Sequence, residues 1–221
     1  MSEIYTDLEQ RPTLNDLGLK YATDKSTITH CYLDNYAKYF ESWRDKEFTL
    51  LEIGVAAGNS IRMWREYFPK AKVYGIDINP DCAGEGIFIG SQADLDFMAS
   101  VMTKIGAPDI IISDGSHVGD EEVITFKMLF PLLKDGGLYF LEDTHTLYNS
   151  HYSGEFTSNG RTKAYNYFTD LVYHVDIAGR AMTGNASYAI NSGITNPPVP
   201  EFSSILESIH IHISLWLFKR R

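Results

Sequence analysis

From Phe48 to Leu141, short apolar runs alternate with amphipathic stretches, and this alternation narrows the choice of fold more than any other feature. Phe48–Ile53 (FTLLEI), Lys72–Asp77 (KVYGID), Ile87–Ile89, Asp109–Ser113 (DIIIS) and Leu138–Leu141 (LYFL) read as strands by their apolar density. Between them, Asn59–Phe68, Asp94–Lys104 and Asp120–Leu133 carry helical periodicity. Gly54–Gly58, Pro69 and Lys134-Asp135-Gly136-Gly137 punctuate the pattern. Repeated strand–helix units predict an α/β fold with a mostly parallel, doubly wound sheet. Upstream, a helix is expected over Thr13–Lys20 with Thr13 as its cap. A polar, turn-rich segment (Tyr21–His30) and an aromatic helix (Tyr32–Trp43) follow. Downstream of Asp143, Thr144–Thr162 reads as a loop over the site, Lys163–Val175 as a helix and Thr195–Phe202, with its prolines, as a loop. Ile209–Phe218 alternates strictly and reads as one half-exposed strand, added antiparallel in the sheet's edge region.

In such sheets ligands bind beyond the carboxyl ends of the strands. Asp114, Glu142 and Asp143 each follow an apolar run, and His117 lies three residues after Asp114. Three carboxylates form an oxygen-rich set suited to a hard divalent cation, and a histidine beside them can take a proton near neutral pH. The competing reading makes Asp114 and Asp143 caps of the following turns, Glu142-Asp143 a solvated surface pair and His117 an ordinary polar residue. Glu52 and Asp77 end two earlier strands. With Gly54 and Gly58 in the intervening turn, they read as a nucleoside site in which Asp77 accepts from ribose hydroxyls. The alternative is a tight βα turn with a solvated aspartate. The turn is not G-x-G-x-x-G, which disfavours a dinucleotide. Together the two acidic groups suggest a metal-assisted transferase.

The net charge of -10 over 221 residues argues against nucleic acid or an anionic membrane as the main partner. No apolar stretch is long enough to span a bilayer, and the polar, acidic start is unlike a secretory signal. Cys31 and Cys82 show no metal-ligand spacing and read as reduced thiols of a cytoplasmic protein. Other side chains have blander readings. His145 is a second candidate base, more simply a loop hydrogen-bonding group. His210 and His212 sit on one face of a strand, with no third metal ligand evident in the sequence. Tyr36, Tyr39 and Trp43 suit helix packing better than a sugar site. Tyr148, Tyr152 and Arg161 are candidate acceptor contacts in the loop.

The chain resembles the class I S-adenosylmethionine-dependent methyltransferases. More closely, it is similar to the Mg2+-dependent macrolide-sugar (mycinamicin-type) O-methyltransferases. The resemblance rests on TDK (Thr23–Lys25), LEIGVAAGNSIRMWREYFP (Leu51–Pro69), YGIDI (Tyr74–Ile78), SQAD (Ser91–Asp94), DIIISDGSH (Asp109–His117) and LFPLLKDGGLYFLEDTHTLY (Leu129–Tyr148). It implies a Rossmann-like, seven-stranded sheet with an antiparallel C-terminal strand, in a single domain over residues 1–221. Within that domain, 1–45 is an N-terminal helical segment, 46–143 the cofactor-binding core, 144–205 the lid and acceptor region, and 206–221 the final strand. It also implies S-adenosylmethionine and Mg2+ as cofactors and a small-molecule, sugar-containing acceptor in secondary-metabolite or polysaccharide biosynthesis. The metal ligands fall on Asp114, Glu142 and Asp143, and the general base on His117. Cofactor contacts fall on Thr23, Glu52, Gly54, Gly58, Ser60, Asp77, Ser91, Gln92 and Asp114. Gly90-Ser91-Gln92 and Ser113-Asp114-Gly115 depart from the family's usual Gly-Asp-Gln and Asp-Asp-Gly. By analogy with the family, a homo-oligomer is expected. Two other readings stay open: a catechol-like diol as acceptor, and a nucleoside-binding module without catalysis.

Overall fold

The computed structural model describes residues 11–182 and 200–221. The apolar runs form strands β1 (Thr49–Ile53), β2 (Lys72–Asp77), β3 (Ile87–Ile89), β4 (Ile110–Ser113) and β5 (Leu138–Glu142). All five pair in parallel, and the full sheet has seven strands in the order β3-β2-β1-β4-β5-β7-β6. Here β6 is Leu206–His212 and β7 is Leu215–Arg220. Both of those pairings are antiparallel, so β7 alone runs against the other six strands.

The C-terminal alternation therefore differs from expectation. It is a hairpin rather than one strand, and its antiparallel member is inserted beside β5 instead of lying at the edge. The reversal falls at Ile213-Ser214, where Ser214 takes φ 58° and Ile213 is 92% exposed. Beyond it, Leu215 and Leu217 are buried on one face of the sheet and Trp216 and Phe218 on the other.

Parallel strands buried on both faces need helices on both sides. The helices α1 (Leu14–Tyr21), α2 (Leu33–Phe40) and α3 (Asn59–Tyr67) bring Leu17, Phe40 and Trp64 to one core with Leu50 and Phe140. On the opposite face, α4 (Leu95–Ile105), α5 (Gly119–Leu129) and α7 (Lys163–Met182) bury Met98, Phe126 and Phe168 against Leu51 and Tyr139. Thr13 caps α1 in a reciprocal box with Asp16, and Asp94 caps α4. Segment 144–162, expected to be a loop, contains a 3₁₀ stretch (Thr144–Tyr148), the short helix α6 (Ser150–Ser153) and a bridge between Phe156 and Thr162. Most of the proline-rich segment expected at Thr195–Phe202 lies outside the described residues. No described helix is long and apolar enough to cross a membrane.

Candidate active site

The parallel strands point their carboxyl ends at one edge, and the turns there carry the chemistry. After β4, the Asp114 N–H donates to the Ile53 carbonyl (2.9 Å), so the exits of β1 and β4 stay side by side. Gly54, with φ +90°, lies so close that an added Cβ would stand 1.8 Å from the Asp114 carbonyl oxygen. His117 and Asp143 both adopt left-handed backbone (φ 57° and 52°), a sparsely populated region for residues with a Cβ. These turns aim three side chains inward. Ligand atoms of Asp114, His117 and Asp143 lie within 4.8 Å of one another. His117 Nε2 is 3.5 Å from Asp143 Oδ2 and 3.9 Å from Asp114 Oδ1. Two carboxylate oxygens and an imidazole nitrogen at this spacing suit a divalent cation.

Around this trio the remaining oxygens are occupied. Tyr32 donates to Asp143 Oδ1 at 2.6 Å. Glu142 is buried and accepts from Tyr36 (2.6 Å) and from Lys25 Nζ (2.9 Å). Lys25 also hydrogen bonds Asp114 Oδ2 and lies 3.5 Å from Glu52. One buried ammonium thus faces three carboxylates. Burial and the Asp114 charge push the Glu142 carboxyl up, and burial does the same to Asp114. Against the cost of its burial, the charges of Asp114, Glu142 and Glu52 hold Lys25 well above the ordinary lysine range.

A cleft adjoins the trio, lined among others by Ile53, Gly54, Asp77, Ile78, Ser91, Gln92 and Ser116. Asp77 Oδ2 accepts from the N–H groups of Val55 and Ala56, and Oδ1 from Asn79. Burial raises the Asp77 carboxyl, but these bonds outweigh it and hold it below the usual range. Gln92 is fixed by Glu122 and Thr125 (3.1 Å each) and accepts from the Ser116 N–H (2.9 Å). Ile78 is 72% exposed at the cleft, an apolar surface that a planar base could cover.

The sequence-predicted residues thus separate into groups. Gly54, Asp77, Ser91 and Gln92 line the cleft, and Asp114 directly precedes Gly115, which also lines it. Glu52 is fully buried and bonded by Ser60 (2.7 Å) and Trp64 (3.3 Å), so Glu52 and Ser60 support the turn from below. Gly58, at φ 71°, precedes the first turn of α3, and Thr23 is buried next to Asp24. His145 meets Ser214 (2.6 Å), as its blander reading expects. Tyr39 lies between His210 (3.1 Å) and His212 (3.0 Å), pinning α2 to the outer hairpin. The sequence reading assigned no role in the site to Lys25, Tyr32 or Glu122. Lys25 stood only within the TDK motif, where a lysine beside an acid gave no sign of burial.

No family model matches the chain. It is 31% identical to the 8-demethyl-8-alpha-L-rhamnosyl tetracenomycin-C 2'-O-methyltransferase of Streptomyces olivaceus, over 95% of this chain and 55% of that protein. It is 33% identical to the mycinamicin VI 2''-O-methyltransferase of Micromonospora griseorubida, over 66% of this chain and 39% of that protein. Among solved structures it is similar to the MycE methyltransferase of the mycinamycin biosynthetic pathway in complex with Mg and SAH. That likeness has a TM-score of 0.80 at 25% identity and covers 96% of this chain and 54% of the other. The chain spans about half the length of the curated relatives it matches. Its sheet is that of the Rossmann-like methyltransferases, and its homologues are sugar-directed O-methyltransferases of macrolide and tetracenomycin pathways.

Proposed function

We propose that this homologue of the macrolide- and tetracenomycin-sugar O-methyltransferases is itself an S-adenosylmethionine-dependent, Mg2+-assisted O-methyltransferase. Its acceptor is a hydroxyl of a sugar or glycosylated small molecule. The observation that carries the reading is the convergence of Asp114, His117 and Asp143 at the strand ends, beside a cleft floored by Gly54 and Asp77. A binding module has no use for a base and a cation site held in left-handed backbone next to a nucleoside cleft. The carboxylate oxygens suit a hard cation, and the imidazole beside them is left to take a proton. The solved MycE structures hold Mg and SAH, one of them with mycinamycin VI as well.

In this reading Asp114, Glu142 and Asp143 hold the metal, and His117 is the base. Gly54, Asp77, Ser91 and Gln92 contact the nucleoside, with Thr23, Glu52, Gly58 and Ser60 shaping that pocket from behind. When bound, S-adenosylmethionine supplies an activated methyl group, and the cation supplies Lewis-acid polarisation of the acceptor hydroxyl. His117 Nε2 receives the hydroxyl proton, assistance typically worth about 10²–10⁴-fold. Asp143 Oδ2 lies 3.5 Å from this nitrogen, so the imidazole stands directly beside the carboxylates proposed to hold the cation. Glu122 and Thr125 hold Gln92 in one orientation toward the cleft. We further infer a one-domain, cytoplasmic protein that is a homo-oligomer by family analogy alone and has no nucleic-acid partner, the last in keeping with its acidic charge.

The test is a thermal-shift titration with S-adenosylhomocysteine, with and without Mg2+, on the wild type and Asp143→Asn, followed by methyl transfer to glycosylated acceptors. The nucleoside should stabilise both proteins, and Mg2+ should add a shift only in the wild type. If Mg2+ shifts neither protein, the metal assignment is wrong. If the nucleoside shifts neither, the cofactor assignment is wrong.

A further inference from the structure

Among the described residues, a single buried ammonium stands inside the acidic cluster. Lys25 is 2% exposed at its side chain, 2.9 Å from Glu142 Oε2, hydrogen bonded to Asp114 Oδ2, and 3.5 Å from Glu52 Oε1. Its backbone is fixed as well, because the Lys25 carbonyl accepts from the N–H groups of Tyr32 (2.9 Å) and Leu33 (3.2 Å) at the start of α2. Tyr36 takes the other oxygen of Glu142. The ammonium therefore holds one oxygen each of Asp114 and Glu142, two of the carboxylates assigned to the cation.

We infer that Lys25 competes with the divalent cation for Asp114 and Glu142 and so sets the affinity of the metal site. The inference rests on the metal-dependent reading above. Two cations cannot use the same carboxylate lone pairs, and their repulsion in a buried site is only weakly screened. A cation ligated by Glu142 would share that carboxylate with the Lys25 ammonium and be repelled by it, which favours moving the ammonium away. Glu52 Oε1, the third and longest contact, gives the displaced ammonium a partner, so the move need not leave a buried charge unpaired. Because Glu52 also anchors Ser60 and Trp64 beneath the glycine turn, metal loading is mechanically tied to the floor of the nucleoside cleft.

The experiment is calorimetric titration of Mg2+ alone into the full chain as wild type, Lys25→Met, and Lys25→Met combined with Glu142→Gln. Lys25→Met should bind Mg2+ about tenfold tighter or more, given the loss of a close like charge. Adding Glu142→Gln should remove most of that gain. Equal or weaker binding by Lys25→Met, with the wild type binding, overturns the competition and leaves the metal reading intact. Silence in both proteins overturns both. Binding by Lys25→Met alone supports competition. Should Lys25→Met fail to fold, melting of Lys25→Gln with and without Mg2+ decides. A larger Mg2+ shift than in the wild type supports the inference, and an equal or smaller one overturns it.

Discussion

Tyr32 donates a 2.6 Å hydrogen bond to Asp143 Oδ1 and so ties the start of α2 to the turn after β5. The bond leaves Asp143 Oδ2 directed at His117. Burial, reinforced by the bond to Asp143, pushes the Tyr32 hydroxyl far up, so it stays a neutral donor throughout the working pH range. Tyr32→Phe keeps the ring that stacks on His30 and removes only the donor. The expected result is a loss of about tenfold in kcat, the size of one modest misalignment in an oriented site. S-adenosylhomocysteine affinity should be unchanged, because Tyr32 does not line the cleft. Steady-state kinetics and calorimetry measure the two effects separately.

The left-handed backbone of His117 separates its chemical from its structural contribution. At φ 57°, glycine is less strained than alanine. His117→Gly should therefore be more stable than His117→Ala by roughly 1 kcal/mol, although both lose the proposed base. Both variants should lose about 10²-fold or more in methyl transfer. Urea unfolding of the pair checks the first expectation. If alanine proves the more stable, this backbone is not strained in solution.

Gly54 is the closest approach between β1 and the Asp114 turn. A Cβ there meets the Asp114 carbonyl oxygen at 1.8 Å, on a residue already at φ +90°. Backbone cannot yield as a flexible side chain can. Gly54→Ala should cost about 3 kcal/mol or more and abolish nucleoside binding. Gly58→Ala meets only the Arg62 side chain at 3.3 Å, at φ +71°, and should cost about 1 kcal/mol. Denaturant unfolding of both variants tests the contrast.

The sequence disclosed the parallel core because each strand is a dense apolar run bounded by glycine, proline or a capping aspartate. Asp114, Glu142 and Asp143 stand out in the sequence because they sit where strands end, and the structure brings Asp114 and Asp143 together with His117. The hairpin stayed hidden because Ile213 continues the apolar alternation through the turn, and Ser214 takes a positive φ without a glycine or asparagine to signal it. Lys25 and Tyr36 reach Glu142 across more than a hundred residues, a pairing that no local pattern encodes. Glu122 is one of three consecutive acids opening α5, a pattern that by itself gives no sign of burial. Helical geometry turns it inward, to 2% exposure, while Asp120 stays outside.

That inward turn gives Glu122 a pH signature. Burial raises its carboxyl above the ordinary range, only partly opposed by hydrogen bonds from Ser113 (2.7 Å) and Gln92 (3.1 Å). A raised acid binds its proton more tightly in the folded state. Stability therefore falls as pH climbs from the unfolded value through the folded one, and the penalty is complete above the folded value. Glu122→Gln removes the charge while its amide can still accept from Gln92 and donate to Ser113. The variant should melt higher than the wild type at pH 8, and the gap should close as pH is lowered toward 4. Melting curves at four or five pH values are sufficient. A gap that is constant with pH would show that Glu122 does not change its proton binding on folding, and a variant that melts lower at pH 8 would show that Gln92 needs a charged partner to hold its place in the cleft.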